Sequence, residues 1–234
     1  NAGWYLSSID PSAANGAGLA NYLINYVAGN LTIGKATLTI TPNATSSIYN
    51  GLVLDNSIYS QNIANYTITG YKNSDSVVNV PVVLTGSMSF SGATNTVVQN
   101  AASYSLAAGT LAGSSSNANY TINFANTSNN AYVINPATLS ISASKVYDGT
   151  TTFASAKFSV TTGIGTQTVL LTGSADANSA NVNGISSINT TGLSIADGSN
   201  GGLAINYALP ASTGNISITP APITVSINTQ TKVY

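Results

Sequence analysis

An internal repeat constrains this chain more than any other feature of its sequence. Each of three Asn-Tyr pairs is followed, 28 residues after its asparagine, by a signature tyrosine: Asn21 by Tyr49, Asn119 by Tyr147, and Asn206 by Tyr234. A Leu-Thr-Gly-Ser stretch begins 35 residues before the second and third pairs, at Leu84 and Leu171. The signature tyrosines lie 98 and 87 residues apart, and a period of this kind indicates tandem modules.

The spacing of these motifs divides the chain into two full modules and two partial ones. Residues 1–34 are predicted to be the tail of a preceding module, residues 35–135 and 136–219 to be complete modules, and residues 220–234 to start a further one. A parallel β-helix is a poor alternative, because its rungs repeat at about 20 residues.

Apolar and polar residues alternate in short stretches, which is typical of half-buried strands. Ala36, Leu38 and Ile40 alternate with threonines, and five further stretches are predicted as strands: 65–69, 77–84, 87–90, 103–106 and 120–124. The predicted closing strand of each full module is joined to the next opening strand by a short link that contains proline. Asn135-Pro136 joins 130–134 to 137–141, and Thr219-Pro220 joins 216–218 to 223–227. Proline stiffens such links. The predicted fold is therefore all-β, with small antiparallel β-sandwich or β-grasp-like modules arranged end to end as a rod.

The composition excludes several classes of function. Only 5% of the residues are charged, all of them Lys or Asp, and the chain has no Glu, Arg, His or Cys. Nucleic-acid binding needs clustered Lys and Arg, and general acid–base catalysis needs groups that titrate near neutrality, so neither function is expected. Polar residues interrupt every apolar run, so no membrane-spanning helix is predicted. We expect no enzyme activity and no cofactor.

Two special sites are weak candidates. Asp197 lies in a loop rich in Asp, Asn and Gly that offers oxygen ligands to calcium, but Ca²⁺ usually draws several carboxylates together, so no metal site is predicted. A Lys-Asn or Lys-Asp isopeptide cross-link would need an acidic catalyst in the core, and in a chain without Glu only Asp could serve.

The signature motifs are interpreted as parts of the fold. Asn50-Gly51 and Asp148-Gly149 are turn dipeptides, because glycine accepts positive φ and Asn or Asp tolerates such turns. Tyr49 and Tyr147 are predicted to pack inward, each with its hydroxyl group on a backbone partner. The equivalence of the two turns predicts that Asn can replace Asp148. Four further signature residues are assigned structural roles: Asn119, Tyr120, Asn206 and Tyr207.

Seven Asn-X-Ser/Thr sequons occur, as expected by chance in a chain rich in Asn, Ser and Thr. Asn119 begins a predicted strand and is interpreted as structural. Asn126 and Asn189 lie in predicted loops and are the candidate glycosylation sites.

The second module resembles a known family. It contains Tyr-Asp-Gly-Thr-Thr at 147–151, Asn-Val-Asn-Gly at 181–184, Gly-Leu-Ser-Ile at 192–195, Asn206-Tyr207, and Ile-Thr-Pro-Ala at 218–221. These motifs resemble the YDG domain of filamentous-haemagglutinin-like bacterial proteins. The sequence departs from the pattern where Ala208 and Leu209 follow Tyr207 without the usual Thr.

The first module resembles the related MBG domain, which occurs in tandem in the same proteins. The matching stretches are 104–111, 119–122 and 135–141, although its signature is Tyr-Asn-Gly. The resemblance implies a long, secreted or surface-anchored bacterial adhesin, often exported by two-partner secretion, in which these modules are stalk repeats.

Two classes of function stay open. The first is a structural and adhesive repeat region in an extracellular stalk or fibre on the bacterial surface, whose partners are neighbouring modules, further copies, or host-surface or extracellular-matrix ligands. The second is a module that binds carbohydrate or host protein through exposed Tyr and Asn. A binding module predicts that Tyr5, Tyr59 and Tyr71 cluster in one exposed patch, whereas a stalk predicts that they are scattered or buried at module junctions.

Overall fold

Short strands dominate the structure, because Gly, Asn and Pro interrupt each alternating stretch after a few residues. The computed structural model describes residues 1–59, 61–90, 97–127 and 132–234. All helical elements within these ranges are 3-10 turns of three or four residues, and none is long and apolar enough to cross a membrane. The predicted all-β class is confirmed.

The chain divides into two compact units that do not follow the repeat boundaries. Unit 1 comprises Asn1–Thr45, Val53–Val98 and Ser103–Val133, and unit 2 comprises Ser46–Leu52, Gln99–Ala102 and Ile134–Tyr234. Two short pieces of the first repeat, residues 46–52 and 99–102, therefore belong to unit 2.

The strands of unit 1 are Gly3–Ile9, Gly29–Ile33, Ala36–Pro42, Leu54–Asp55, Tyr66–Thr69, Val82–Thr85, Ser89–Phe90, Val97–Val98, Leu106–Ala107, Ala112–Ser115 and Tyr120–Phe124. Its 3-10 turns are Leu19–Asn21, Asn56–Tyr59 and Ile63–Asn65. Three more strands lie where the chain passes from one unit to the other: Thr45–Ile48, Ala102–Tyr104 and Tyr132–Asn135.

The strands of unit 2 are Ala137–Thr138, Ser140–Val146, Thr152–Ala154, Phe158–Thr161, Val169–Ala177, Ile188–Asn189, Leu193–Asp197, Tyr207–Ala208, Ser212–Thr213 and Ile216–Thr219. Its 3-10 turns are Ser155–Lys157 and Ala204–Asn206.

Each full repeat places its opening strand between an antiparallel and a parallel partner. In unit 1, Ala36–Pro42 pairs antiparallel with Tyr66–Thr69 and parallel with Tyr120–Phe124. In unit 2, Ser140–Val146 pairs antiparallel with Phe158–Thr161 and parallel with Ile216–Thr219. An antiparallel sandwich has no such parallel pairs. The sequence does not predict them, because alternation shows which side chains face the core but not the direction of the partner strand.

The core of unit 2 lies under its opening strand. Phe153 and Ile188 are fully buried, and they pack with Ala143, Leu193 and Ile218. The core of unit 1 is built on Leu38, Ile40, Met88 and Phe90, which have no exposed side-chain surface. A chain of aromatic contacts extends it, with ring centroids 5.7 to 6.5 Å apart, through Tyr59, Tyr66, Phe90, Tyr104 and Tyr132.

Several predicted strands differ from the structure. The strand predicted over 87–90 is only Ser89–Phe90, and the one predicted over 103–106 is divided between Ala102–Tyr104 and Leu106–Ala107. The strand predicted over 77–84 begins only at Val82, because Ser76 and Asn79 form a turn in which Val80 N–H donates to Ser76 O. The strand predicted over 223–227 is not observed, because its apolar side chains, Ile223, Val225 and Ile227, are exposed and pack on no core. The closing strand predicted from Asn130 is observed from Tyr132, and residues 130 and 131 lie outside the described residues.

Candidate functional site

The Tyr-Asp-Gly turn of the second repeat is held by one carboxylate. Asp148 Oδ1 accepts the Thr150 N–H at 3.0 Å and the Thr150 hydroxyl at 2.9 Å, which closes an Asx turn. Gly149 has φ 79°, in the left-handed region that glycine enters without strain, as the sequence predicts.

A buried lysine lies beneath this turn. Lys145 is 6% exposed, and the three N–H groups of its Nζ are shared among four acceptors: Asp148 Oδ1 at 2.8 Å, Thr150 O at 2.8 Å, Thr150 Oγ1 at 2.9 Å and Thr152 O at 2.9 Å. The ammonium group also lies 4.7 Å from the centre of the Phe153 ring, within the range of a cation–π contact. A buried charge is tolerated only when it is paired and hydrogen-bonded, and Lys145 meets both conditions.

Electrostatics link the lysine to the turn. The hydrogen bond from Lys145, followed by those from Thr150, lowers the pKa of Asp148 to about 2. Asp148 is the one carboxylate among the acceptors of Lys145 in the described part of the chain, and it lies three residues away and half exposed. The buried Lys, its carboxylate partner and a second acid that an isopeptide cross-link needs are therefore not brought together here.

The corresponding turn of the first repeat has the same shape without the buried charge. Asn50 Oδ1 accepts the Leu52 N–H at 3.0 Å, and Gly51 has φ 77°. Counted back from the signature tyrosine, Ser47 stands where the second repeat has Lys145. The first repeat thus has two neutral residues, Asn50 and Ser47, at the positions where the second repeat has the charged residues Asp148 and Lys145.

The two signature tyrosines differ in burial. Tyr49 is 4% exposed, as predicted, but its hydroxyl group donates to the Gln167 side chain at 3.1 Å rather than to a backbone atom. Tyr147 is 41% exposed, so its predicted inward packing is wrong. It lines an open groove with Val182, Pro220 and other residues, whereas Tyr49 packs against an aromatic ring.

Tyr49, Gln167 and Tyr207 form a cluster of contacts within unit 2. The Tyr49 and Tyr207 rings meet edge to face, with centroids 5.6 Å apart. Both hydroxyl groups donate to Gln167 Oε1, that of Tyr207 at 2.5 Å. One glutamine side chain thus fixes two tyrosines that are far apart in sequence.

The remaining signature residues also have partners inside the protein. Asn206 is fully buried, and Asn119 makes hydrogen bonds through both atoms of its side-chain amide. The Tyr120 hydroxyl donates to Asp75 Oδ2 at 2.7 Å and accepts the Lys72 N–H at 2.9 Å. The bond to Asp75, with some desolvation, raises the pKa of Tyr120.

The loop around Asp197 is closed by its own hydrogen bonds. Asp197 Oδ1 accepts the Ala204 N–H at 2.7 Å, and Gly198 N–H donates to Gly202 O. No three His, Cys, Asp or Glu side chains come together among residues 1–59, 61–90, 97–127 and 132–234. One carboxylate oxygen of Asp197 thus helps to close the loop.

The two candidate glycosylation sites are both exposed. Asn126 lies outside the strands, and its Oδ1 accepts the Ala108 N–H at 3.2 Å; Ser128 of its sequon lies outside the described residues. Asn189 is in the strand Ile188–Asn189 and not in a loop as predicted, because Ile188 pairs with Thr213.

The positions of Tyr5, Tyr59 and Tyr71 distinguish the stalk hypothesis from the binding-module hypothesis. The hydroxyl group of each donates a hydrogen bond to a backbone carbonyl group. Tyr59 is 2% exposed and donates to Asn43 O, Tyr71 donates to Val80 O, and Tyr5 donates to Asn1 O. Burial, with repulsion from neighbouring tyrosines, raises the pKa of Tyr59 to about 12. Their hydroxyl groups are used by the fold and do not form an exposed patch.

Sequence reasoning did not single out Lys145 or Gln167. A signal for Lys145 exists, because it continues the buried face of its strand after Leu139, Ile141 and Ala143. Gln167 lies in a polar loop between Gly165 and the strand that starts at Val169, and no local pattern identifies it.

The two signature glycines make a matched pair for mutation. Gly149→Ala adds a Cβ with nothing within 4 Å, so we expect only the left-handed strain, about 1–2 kcal/mol. At Gly51 the same Cβ would lie 2.6 Å from Ile164 Cγ2, so Gly51→Ala has a clash in addition. We expect thermal unfolding to show a larger loss for Gly51→Ala, and equal losses in the two variants would contradict this account of the Gly51 turn.

The fold and these contacts define a class: small all-β modules whose signature turns are held by internal hydrogen bonds. A YDG domain is found at residues 129–214, which covers most of the second repeat. No curated protein and no solved structure matches the chain.

Proposed function

We propose that this chain is a structural and adhesive repeat region of a long secreted or surface-anchored bacterial protein, where it forms part of an extracellular stalk or fibre. The YDG domain at residues 129–214 and the resemblance of the first repeat to the MBG domain support this proposal. Its partners would be neighbouring repeats and further copies, with host-surface or matrix ligands bound elsewhere.

The observation that carries the proposal is how the signature side chains are used. Tyr49, Asn119, Tyr120, Asn206 and Tyr207 each direct their polar atoms to other residues of the chain. A residue that recognises a ligand must leave its polar atoms accessible, whereas a residue that maintains a repeat need not. The use of these side chains therefore favours a structural role.

The link between the two full repeats supports a stalk. The strand Tyr132–Asn135 is separated from Ala137–Thr138 by Pro136 alone. Proline fixes φ and keeps the preceding residue extended, so such a link has little freedom. The scarcity of charge leaves little electrostatic repulsion between copies, which favours association.

Small-angle scattering of the full chain tests the proposal. A compact protein of this length has a radius of gyration of about 17 Å, and we expect a clearly larger value with the scattering profile of a rod. A compact particle, or a broad distribution of dimensions, would contradict the stalk. Sedimentation at increasing concentration tests association: a strictly monomeric rod would exclude the fibre and leave the stalk.

A second candidate function is binding of carbohydrate by the groove at Tyr147. This groove exposes an aromatic ring beside Asn181, Asn183 and Val182. A sugar ring can stack on the aromatic face and form hydrogen bonds with the flanking amide groups. In that case Tyr147, and not the buried Tyr49, would contact the ligand.

A further inference from the structure

We propose that Asn119 and Asn206, the asparagines of the Asn-Tyr pairs in the two full repeats, are joint residues, each of which binds an Asn-Ala dipeptide of the preceding repeat through two hydrogen bonds. This inference deepens the stalk proposal and rests on it for its biological meaning. It identifies the partner of the Asn-Tyr motif as another segment of the same repeat array.

The joint of the second repeat is formed within unit 2. Asn206 Oδ1 accepts the Ala101 N–H at 2.7 Å, and Asn206 Nδ2 donates to Asn100 Oδ1 at 3.1 Å. Asn206 is fully buried and Ala101 is 4% exposed, so both hydrogen bonds are shielded from water at the asparagine. By sequence, Asn100 and Ala101 belong to the first repeat.

The joint of the first repeat is formed within unit 1 by the same atoms. Asn119 Oδ1 accepts the Ala2 N–H at 2.6 Å, and Asn119 Nδ2 donates to Asn1 Oδ1 at 3.1 Å. The partner is again an Asn-Ala dipeptide, here in the stretch predicted to be the tail of a preceding module. Two occurrences of one hydrogen-bond pattern, each on its own dipeptide, are the evidence for a repeated device.

The chemistry of the joint requires an amide side chain. An asparagine accepts through Oδ1 and donates through Nδ2 at the same time, which is what a backbone N–H and a side-chain carbonyl oxygen need together. Aspartate offers no donor, and alanine offers neither group. Loss of the side chain would leave the buried Ala101 N–H without its acceptor.

Neighbouring contacts extend the joint in unit 2. Gln99 Nε2 donates to Gly51 O at 2.9 Å, which connects the two pieces of the first repeat that belong to this unit. Tyr207, next to Asn206, shares Gln167 with Tyr49. The Asn-Tyr motif therefore binds with both residues: Asn206 contacts Asn100 and Ala101, and Tyr207 contacts Tyr49.

Amide hydrogen exchange of the full chain, measured residue by residue by NMR, tests the joint. In Asn206→Ala we expect exchange at Ala101 to rise by about 10- to 100-fold, the factor for a buried hydrogen bond, while Ile141 and Ala143 in the core strand change little. Asn119→Ala is the matched control, because it removes the same residue from the other joint and should leave Ala101 unchanged.

Two results would overturn the proposal. One is unchanged exchange at Ala101 in Asn206→Ala. The other is a uniform rise at Ala101, Ile141 and Ala143, which would mean that Asn206 only stabilises its own repeat.

The wild-type chain gives a second measurement if Asn206→Ala does not fold. A scalar coupling across the hydrogen bond, from the Ala101 nitrogen to the side-chain carbonyl carbon of Asn206, is expected, and its absence would refute the joint. These readouts are independent of particle shape. If the exchange and coupling measurements support the joint but the chain scatters as a compact particle, only the stalk proposal is refuted.

Discussion

Phe153→Ala is expected to destabilise the second repeat by about 3–5 kcal/mol, the usual range for removal of a fully buried phenylalanine. Phe153 has no exposed surface, its ring centre lies 6.3 Å from that of Phe158, and Lys145 Nζ lies over its face. The substitution opens a cavity and also removes the aromatic face beside a buried charge. For a domain of this size, the melting temperature should fall by more than about 10 °C.

Phe158→Ala is the control for this prediction. Phe158 is only half-buried, at the edge of the same cluster. Its truncation removes less buried area and leaves a site open to solvent, so the loss should be clearly smaller. Calorimetry of both variants checks the order, and an equal loss would show that Phe153 does not occupy the centre of this core.

The sequence predicts the strands and the turns better than it predicts the pairing. Alternation places Leu38 and Ile40, and again Leu139 and Ile141, on the buried face of an opening strand. The turn chemistry of Asn-Gly and Asp-Gly predicts the positive φ at both signature glycines. These features depend on residues within a few positions of each other, so the local sequence is sufficient.

Long-range contacts are what the local sequence does not predict. Tyr49 and Tyr147 occupy the same place in the same motif, yet one is buried and the other is 41% exposed. The difference comes from Gln167 and Tyr207, which lie more than 100 residues from Tyr49 and pack against it. The parallel strand pairs have the same origin, because they join residues 84 and 73 positions apart in the sequence.

The structure also changes the interpretation of one residue. The sequence predicts that Asn can replace Asp148, since Asn50 closes the same turn in the first repeat. Both side chains do accept the N–H two residues later. Asp148, however, also neutralises Lys145, a task that Asn50 does not have because Ser47 occupies the corresponding position. Asp148→Asn is therefore expected to be harmful in the second repeat.

Lys145→Ser should destabilise the second repeat by about 3 kcal/mol, because it removes a buried partner of Asp148 and takes a charged donor from two backbone carbonyl groups. The carbonyl groups are those of Thr150 and Thr152. Asp148→Asn leaves the ammonium group buried with neutral acceptors only, which low-dielectric surroundings penalise.

The double variant Lys145→Ser with Asp148→Asn recreates the pair that the first repeat has. Its loss should be smaller than the sum of the two single losses, since the second substitution no longer leaves an unmatched charge. Denaturant unfolding of the four proteins completes the cycle, and losses that simply add would show that the two side chains act independently.

The pH dependence gives a separate test of the same pair. The pKa of Asp148 in the folded protein is about 2, below its ordinary value of 3.8, so the carboxylate contributes stability that is fully present above about pH 5. That contribution is lost as the pH falls from about 5 through 2, where the proton binds and the hydrogen bond from Lys145 to a charged acceptor disappears. The melting temperature of the wild type should therefore fall more steeply over this range than that of Asp148→Asn, which has no carboxylate to protonate. Parallel slopes would mean that Asp148 titrates normally and that the neutral acceptors alone hold Lys145.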